Sequence, residues 1–332
     1  MSEVKVNKIS PRSGTDVTLG DSGDTFTIPS GATITNSGTA TGFAAGSRNM
    51  VINGQFDVWQ RGTTITSTAS ANMYYADRWR HQGWPWSGSV TQQTFANGQT
   101  DVPGNPTYFA RLIIDTNATG YQAFVQRIEN NPVNRFSGKT ITVSFWIKSA
   151  SGTLADGTVR AYGKSTLVGS GTDNIGAITT SWQKIEYTGT LGTLTGTYYT
   201  VGLKISVDTL LTSGVDIANF QVEVGDTATP FEQKTYGQEL AACQRYYQKA
   251  STTTPYTGPC TNGVTFGGEI YFANYFRGTP TVTTAHVTSS SFPGTTPTAG
   301  TIQKGKFYCT KVADGTSSVG YFRMSWTADA EL

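Results

Sequence analysis

Hydrophobic and polar residues alternate over short stretches in the middle of the chain, which is the pattern of half-buried β-strands. In the clearest stretch, every second residue from Ile141 to Ile147 is apolar, while Ser144 and Trp146 face the other way. Turn-forming residues separate the stretches. Strands are predicted at 108–114, 123–128, 141–148, 158–162, 183–190, 198–207 and 215–224. We therefore expect residues 47–232 to form one β-sandwich.

One segment breaks this rhythm and has the spacing of a helix. Leu240, Cys243 and Tyr247 stand at i, i+3 and i+7, which places them on one helical face. An acidic residue near the start and a basic residue near the end suit the helix dipole. We predict one short linking helix within residues 233–250.

Strand-like patterns return in residues 251–332 and predict a small C-terminal β domain. The strands are expected at 264–266, 269–275, 281–287, 305–310 and 320–327. An aromatic cluster, Tyr271, Phe272, Tyr275 and Phe276, lies on the second of these strands and at its end. We expect this cluster to be buried in the core of the domain, and an exposed aromatic recognition patch is the alternative.

Residues 1–46 contain short alternating runs that each offer only two apolar residues. So few apolar residues cannot offset a backbone ordering cost of ~1–2 kcal/mol per residue within a single chain. Identical chains wrapped around a shared axis would supply the missing core. The segment is therefore predicted to become ordered by self-association, and a disordered tail is the alternative.

The segment 48–80 is too apolar for a loop and is predicted to open the sandwich core. It also holds charged residues, which need partners when apolar groups surround them. For Asp57 the candidates are Arg61, Arg78 or a bound cation. The expected core and ion-pair residues are Asp57, Trp59, Arg61, Asp77, Arg78 and Trp79.

Composition narrows the function classes. Only 14% of the 332 residues are charged and the formal net charge is +2 without a basic block, so nucleic-acid binding has little support. No run reaches the roughly 18 apolar residues of a membrane span, and the N-terminus lacks a signal-peptide core. We expect the protein to be assembled in a cytoplasm and not to insert into a membrane. Cys243, Cys260 and Cys309 show no metal-ligand spacing and are predicted to be buried thiols.

Candidate catalytic groups are sparse. The two histidines, His81 and His286, fall in different predicted domains, and neither lies near a serine or cysteine nucleophile motif. Asp57 and Asp77 could approach each other, but each neighbours Trp and Arg, which favours ion pairing over acid–base work. We predict no catalytic residues and no enzyme activity.

Two motifs carry a resemblance to a known family. Residues 48–62 read RNMVINGQFDVWQRG and residues 74–80 read YYADRWR. Residues 223–225, 229–232 and 240–247 read EVG, TPFE and LAACQRYY. In this order, the motifs resemble the sandwich opening and the following helix of fibre and minor structural proteins of tailed bacteriophages. The N-terminal strings KVNKI and GDTFTIPSGATI are similar to attachment and shaft segments of such fibres.

The resemblance implies a jelly-roll, carbohydrate-binding-like sandwich in a virion protein. The expected protein is a homotrimeric tail fibre that contacts other virion proteins through residues 1–46 and helps attach the particle to the host surface. A head fibre or capsid-decorating protein is the alternative, and a tailspike-like glycan depolymerase is a further one.

The resemblance also implies a metal site. Sandwiches of the carbohydrate-binding type with a similar opening often hold a structural calcium ion, and calcium prefers six to eight oxygen ligands. Asp57 and Asp216 are the candidate ligands. Hydrogen-bonded turn carboxylates without a metal are the alternative, and no other cofactor is expected.

A glycan or other host receptor is the predicted distal partner. Trp84 and Trp86 flank Pro85 in a segment too rich in Gly and Pro for a regular central strand. Exposed indole rings there could stack on sugar rings, with His81 as a polar partner. Burial of one or both indoles in the core or at a subunit interface is an equal alternative.

Overall fold

The computed structural model describes residues 13, 48–70, 73–83, 85–116, 122–129, 137–155, 159–164, 175–193, 197–205, 211–315 and 317–332. All described strands and the helix belong to one compact unit, residues 44–332. The predicted attachment segment 1–46 lies outside the described residues apart from Ser13. No helix in the described ranges is long and apolar enough to cross a membrane.

Two antiparallel sheets form a β-sandwich from the first ten strands. These are β1 (Thr64–Ser70), β2 (Trp79–Gly83), β3 (Trp86–Thr94), β4 (Tyr108–Thr116), β5 (Gln122–Glu129), β6 (Thr140–Ser149), β7 (Val159–Lys164), β8 (Gln183–Thr190), β9 (Tyr198–Ile205) and β10 (Leu211–Val224). One sheet has the order β1-β3-β4-β10-β6-β8 and the other β2-β5-β9-β7. The all-β class predicted from the sequence is confirmed.

Aromatic rings fill the space between the two sheets. The Trp79 ring stacks on Phe124 with centroids 4.9 Å apart, and Phe145 stacks on Phe220 at 5.0 Å. Ile141 and its alternate neighbours point into this core, as the periodicity predicted. Each of these rings removes a large apolar area from water, which explains how modest apolar content sustains a sandwich.

The helix is shorter than predicted. α1 (Tyr236–Gln244) begins at a capping box in which Gln238 N donates to the Thr235 side chain and Thr235 N donates to the Gln238 side chain. It ends before Tyr247, which instead opens the short strand β11 (Tyr247–Lys249). The predicted i+7 position of Tyr247 on the helix is therefore wrong.

Six further strands follow and form the C-terminal β region. They are β12 (Thr254–Pro259), β13 (Thr265–Tyr271), β14 (Thr281–Ser290), β15 (Thr298–Gly300), β16 (Lys306–Val312) and β17 (Val319–Asp329). β17 pairs with β11, β12 and β14, and a separate three-stranded sheet has the order β13-β16-β15. A second apolar core, including Phe307, Phe322 and Met324, lies within this region.

Candidate functional site

The two motifs that were read separately in the sequence meet in a single buried junction between the sandwich and the C-terminal β region. Asn53 lies at its centre, fully buried with a positive φ of 59°. Its amide side chain donates to the carbonyls of Val58 and Asp77, and its backbone N–H donates to Glu239 of α1 at 2.7 Å. The Trp79 indole donates to the Asn53 carbonyl at 3.0 Å. Asn53 thus joins the opening segment, strand β2 and helix α1.

Gly54, the next residue, permits close packing on the long strand β10. A Cβ at this position would lie 2.1 Å from the carbonyl oxygen of Phe220, so any side chain would force the backbone apart. The Phe220 N–H donates to the Gly54 carbonyl at 2.8 Å in the same contact. The Asn53-Gly54 pair therefore allows the opening segment to pack directly against β10.

Asp77 is the buried carboxylate of the junction. It accepts hydrogen bonds from the Gln60 backbone at 3.2 Å and from the Gln60 amide at 2.5 Å, and it lies 3.4 Å from Arg61. Burial raises the pKa of Asp77 to about 6, although Arg61 and Gln60 act in the opposite direction. Asp77 is thus bound on several sides by groups that fix its position.

Two arginines close the junction by contacting the last residues of the C-terminal region. The buried Arg78 guanidinium donates to the Glu331 carboxylate and lies 3.4 Å from the Tyr246 ring centroid. Arg61 lies 3.1 Å from Asp329 and 3.4 Å from Glu331, and it stacks 3.6 Å from the Tyr247 ring centroid. Tyr246 and Tyr247 follow the end of α1, and their rings pack over the guanidinium groups of Arg78 and Arg61.

Asp57 does not have the partner that the sequence suggested. Arg61 and Arg78 are paired elsewhere, and no cation in the described part of the chain pairs with Asp57. Burial, followed by the nearby Glu239 carboxylate, raises the pKa of Asp57 to about 6. Burial likewise raises the pKa of Glu239.

The predicted calcium pair of Asp57 and Asp216 is not supported by the geometry. Both oxygens of the buried Asp216 accept hydrogen bonds from Arg111, at 2.6 and 2.8 Å, and Lys148 lies 3.8 Å away. A carboxylate neutralised by two basic side chains is a poor ligand for a divalent cation. Across the described ranges, no group of three His, Cys, Asp or Glu side chains is placed to hold a metal.

His81 and Trp86 lie in the sandwich core, which contradicts their predicted place on a glycan-binding surface. Trp86 is 2% exposed and His81 is 3% exposed, with ring centroids 5.3 Å apart. Burial lowers the pKa of His81 to about 4. The cavity beside them measures about 10 Å³, the size of one water molecule and far too small for a sugar ring. Trp84 lies outside the described residues.

The aromatic cluster of the C-terminal region is divided between core and surface. Phe272 and Phe276 are buried as predicted, whereas Tyr271 and Tyr275 are 68% and 77% exposed. Tyr308 on the neighbouring strand is also exposed, at 40%. The division follows strand alternation continued past β13, since Ile270, Phe272 and Phe276 are buried and the odd-numbered Tyr271 and Tyr275 are exposed. The prediction that the whole cluster is buried was therefore wrong for the two tyrosines.

Comparisons with known proteins find only weak structural similarities. No protein-family model matches the chain, and no curated protein matches it. Among solved structures, a cyclase of Fischerella sp. TAU is 10% identical over 55% of this chain and 99% of its own, with a TM-score of 0.34. The enzymatically active domain of bacteriophage CBA120 tailspike protein 4 is 16% identical over 53% of this chain and 21% of its own, with a TM-score of 0.32. A xylan-binding domain from Paenibacillus barcinonensis is 14% identical over 50% of this chain and 94% of its own, at 0.29. Similarities this weak establish neither a family nor an activity.

Proposed function

We propose that this chain is a non-enzymatic structural component of a tailed-bacteriophage particle, a tail fibre that contributes to attachment at the host surface. The observation that carries the proposal is the junction. The motifs with the phage-family resemblance are about 180 residues apart in sequence, and the fold brings them into one buried network. Asn53, Asp77 and Arg78 are engaged in structural hydrogen bonds and ion pairs, which supports a structural role for them.

The location can be tested on the particle itself. A labelled antibody fragment against this chain, imaged on intact particles by electron microscopy, is expected to decorate the tail. Decoration of the head would instead favour the head fibre or decoration protein, and absence of the chain from the particle would overturn the proposal. Shortening of host surface polysaccharide by the purified chain would favour a glycan depolymerase.

The assembled form is proposed to be a homotrimer joined through residues 1–46, which also contact other virion proteins. Two apolar residues in each short run supply too little core for one chain, and a closed threefold assembly would share them. Light scattering at micromolar concentration should give three times the chain mass of 35.5 kDa. A particle of single-chain mass contradicts the trimer.

A further inference from the structure

The outward face of the three-stranded sheet β13-β16-β15 carries a compact group of aromatic and charged side chains. Tyr271 is paired directly with Lys306, and Glu269 with Tyr308. Directly paired residues in antiparallel strands point to the same face, so these four side chains form a square. The two tyrosines occupy one diagonal, and the carboxylate and ammonium occupy the other. On the far side of Tyr308, its partner in β15 is Gly300, which leaves the surface there flat.

Three side chains of this square, Glu269, Lys306 and Tyr271, contact one another. Lys306 Nζ and the Tyr271 hydroxyl each donate to the Glu269 carboxylate at 2.5 Å. The Lys306 ammonium also lies 5.5 Å from the Tyr271 ring centroid. Tyr275 extends the group beyond the sheet, because its ring covers Gly305, where a Cβ would lie 2.8 Å from a ring carbon. Fixed rings lose little conformational entropy when a ligand binds.

The chemistry of this face favours a neutral saccharide over other partners. A protein interface is usually depleted of charges at its centre, and here a partner protein would have to desolvate the Glu269–Lys306 pair. Nucleic acid requires a surplus of positive charge, whereas this pair is neutral overall. A saccharide can lay the apolar face of its ring on tyrosine while its hydroxyl groups hydrogen bond to the carboxylate and the ammonium.

We propose that Tyr271, Tyr275 and Tyr308, with Glu269 and Lys306 between them, form a binding surface for an uncharged glycan chain. This inference rests on the attachment role proposed for the protein and assigns the contact to the C-terminal β region. It replaces the predicted surface at Trp86 and His81, whose rings are buried.

The test compares full-length chains on an array of neutral and uronic-acid-containing bacterial oligosaccharides, followed by titration calorimetry with the neutral oligosaccharide that gives the strongest signal. The variant Tyr271→Ala/Tyr275→Ala is expected to bind roughly tenfold more weakly or worse. Tyr236→Ala is the matched control, because Tyr236 is a 57% exposed tyrosine at the first residue of α1 and is not part of the proposed surface, so its loss should leave the dissociation constant unchanged. Tyr271→Phe/Tyr275→Phe retains the rings and should bind within a few-fold of the original chain.

Several outcomes would overturn the inference. They are an array with no neutral oligosaccharide bound, equal binding by the double alanine variant, and loss of self-association in that variant, which would mark the face as a contact between copies. If the double alanine variant melts at a lower temperature, the single variant Tyr275→Ala replaces it in the binding test, because the Tyr275 ring is 77% exposed. Equal binding by that variant would then overturn the inference. A chain that binds glycan but decorates the head would contradict the tail fibre and leave this surface intact. A tail-located chain that binds no glycan would contradict the surface alone.

Discussion

At the scale of single residues, the junction contains a carboxylate whose charge is unfavourable. Asp57 has lost part of its hydration and faces Glu239, and both effects favour the protonated acid, so its pKa in the folded protein is raised to about 6. The folded state therefore binds a proton that the unfolded chain releases at lower pH. Stability from this group is full below the unfolded pKa of 3.8 and is lost as the pH rises through about 6.

Replacing Asp57 by Asn should consequently stabilise the protein at pH 7.5. We expect a gain of about 1 kcal/mol in the free energy of unfolding, after allowance for solvent screening of a partly exposed group. At pH 4 most of the gain should be lost, because Asp57 is then protonated in the folded state and about half protonated in the unfolded chain. Urea denaturation at both pH values measures the difference, with the exposed Asp101→Asn as the control for charge removal. A loss of stability at pH 7.5 would mean that Asp57 has a stabilising partner.

At the scale of secondary-structure elements, the predictions succeeded where alternation was regular and failed where aromatic rings pack on glycine. The strand at 141–148 was found as β6 because its apolar residues alternate without interruption. β3 was missed because the segment around Trp84 and Trp86 was judged too rich in Gly and Pro for a regular central strand. In the structure Gly88 is a strand residue with a φ of 150°, and a Cβ there would lie 2.5 Å from the Trp86 ring. The glycine makes room for the indole, and no local pattern shows that.

The end of the helix was misplaced for a different reason. Tyr247 has the correct spacing for the helical face of Cys243, so periodicity alone extends the helix. The chain instead turns after Gln244, and the rings of Tyr246 and Tyr247 cover Arg78 and Arg61. The proximity of Arg61 and Asp77 could be anticipated, because both belong to the opening segment. Glu331 could not, because only the tertiary fold brings it to Arg78.

At the scale of the whole molecule, the buried Arg78–Glu331 pair connects the sandwich to the C-terminal β region. Removing Arg78 leaves the buried Glu331 carboxylate with Arg61, 3.4 Å away, as its remaining cationic partner. Arg78→Ala is therefore expected to lower the free energy of unfolding by about 3 kcal/mol, the low end of the range for a broken buried pair, and Arg78→Ala/Glu331→Leu should recover part of that loss. Denaturant unfolding followed by tryptophan fluorescence measures both.

The control for this prediction is an ion pair on the surface. Lys184 pairs with Glu186 on β8, and both side chains are substantially exposed. Lys184→Ala should cost about 0–1 kcal/mol. Equal losses of unfolding free energy for Lys184→Ala and Arg78→Ala would show that the buried Arg78–Glu331 pair stabilises the protein no more than a surface ion pair does.

The same pair joins residues that are synthesised far apart in time. Arg78 and Glu331 are separated by 253 residues, so at typical elongation rates the arginine is synthesised on the order of 10–50 s before its partner. During that interval Arg78 lacks Glu331, and Arg61 has Asp77 but not Asp329 or Glu331. Contacts of such long sequence separation slow folding, because a large loop must close before they form. Completion of the junction is therefore a late step in folding, which has to wait for the synthesis of Asp329 and Glu331.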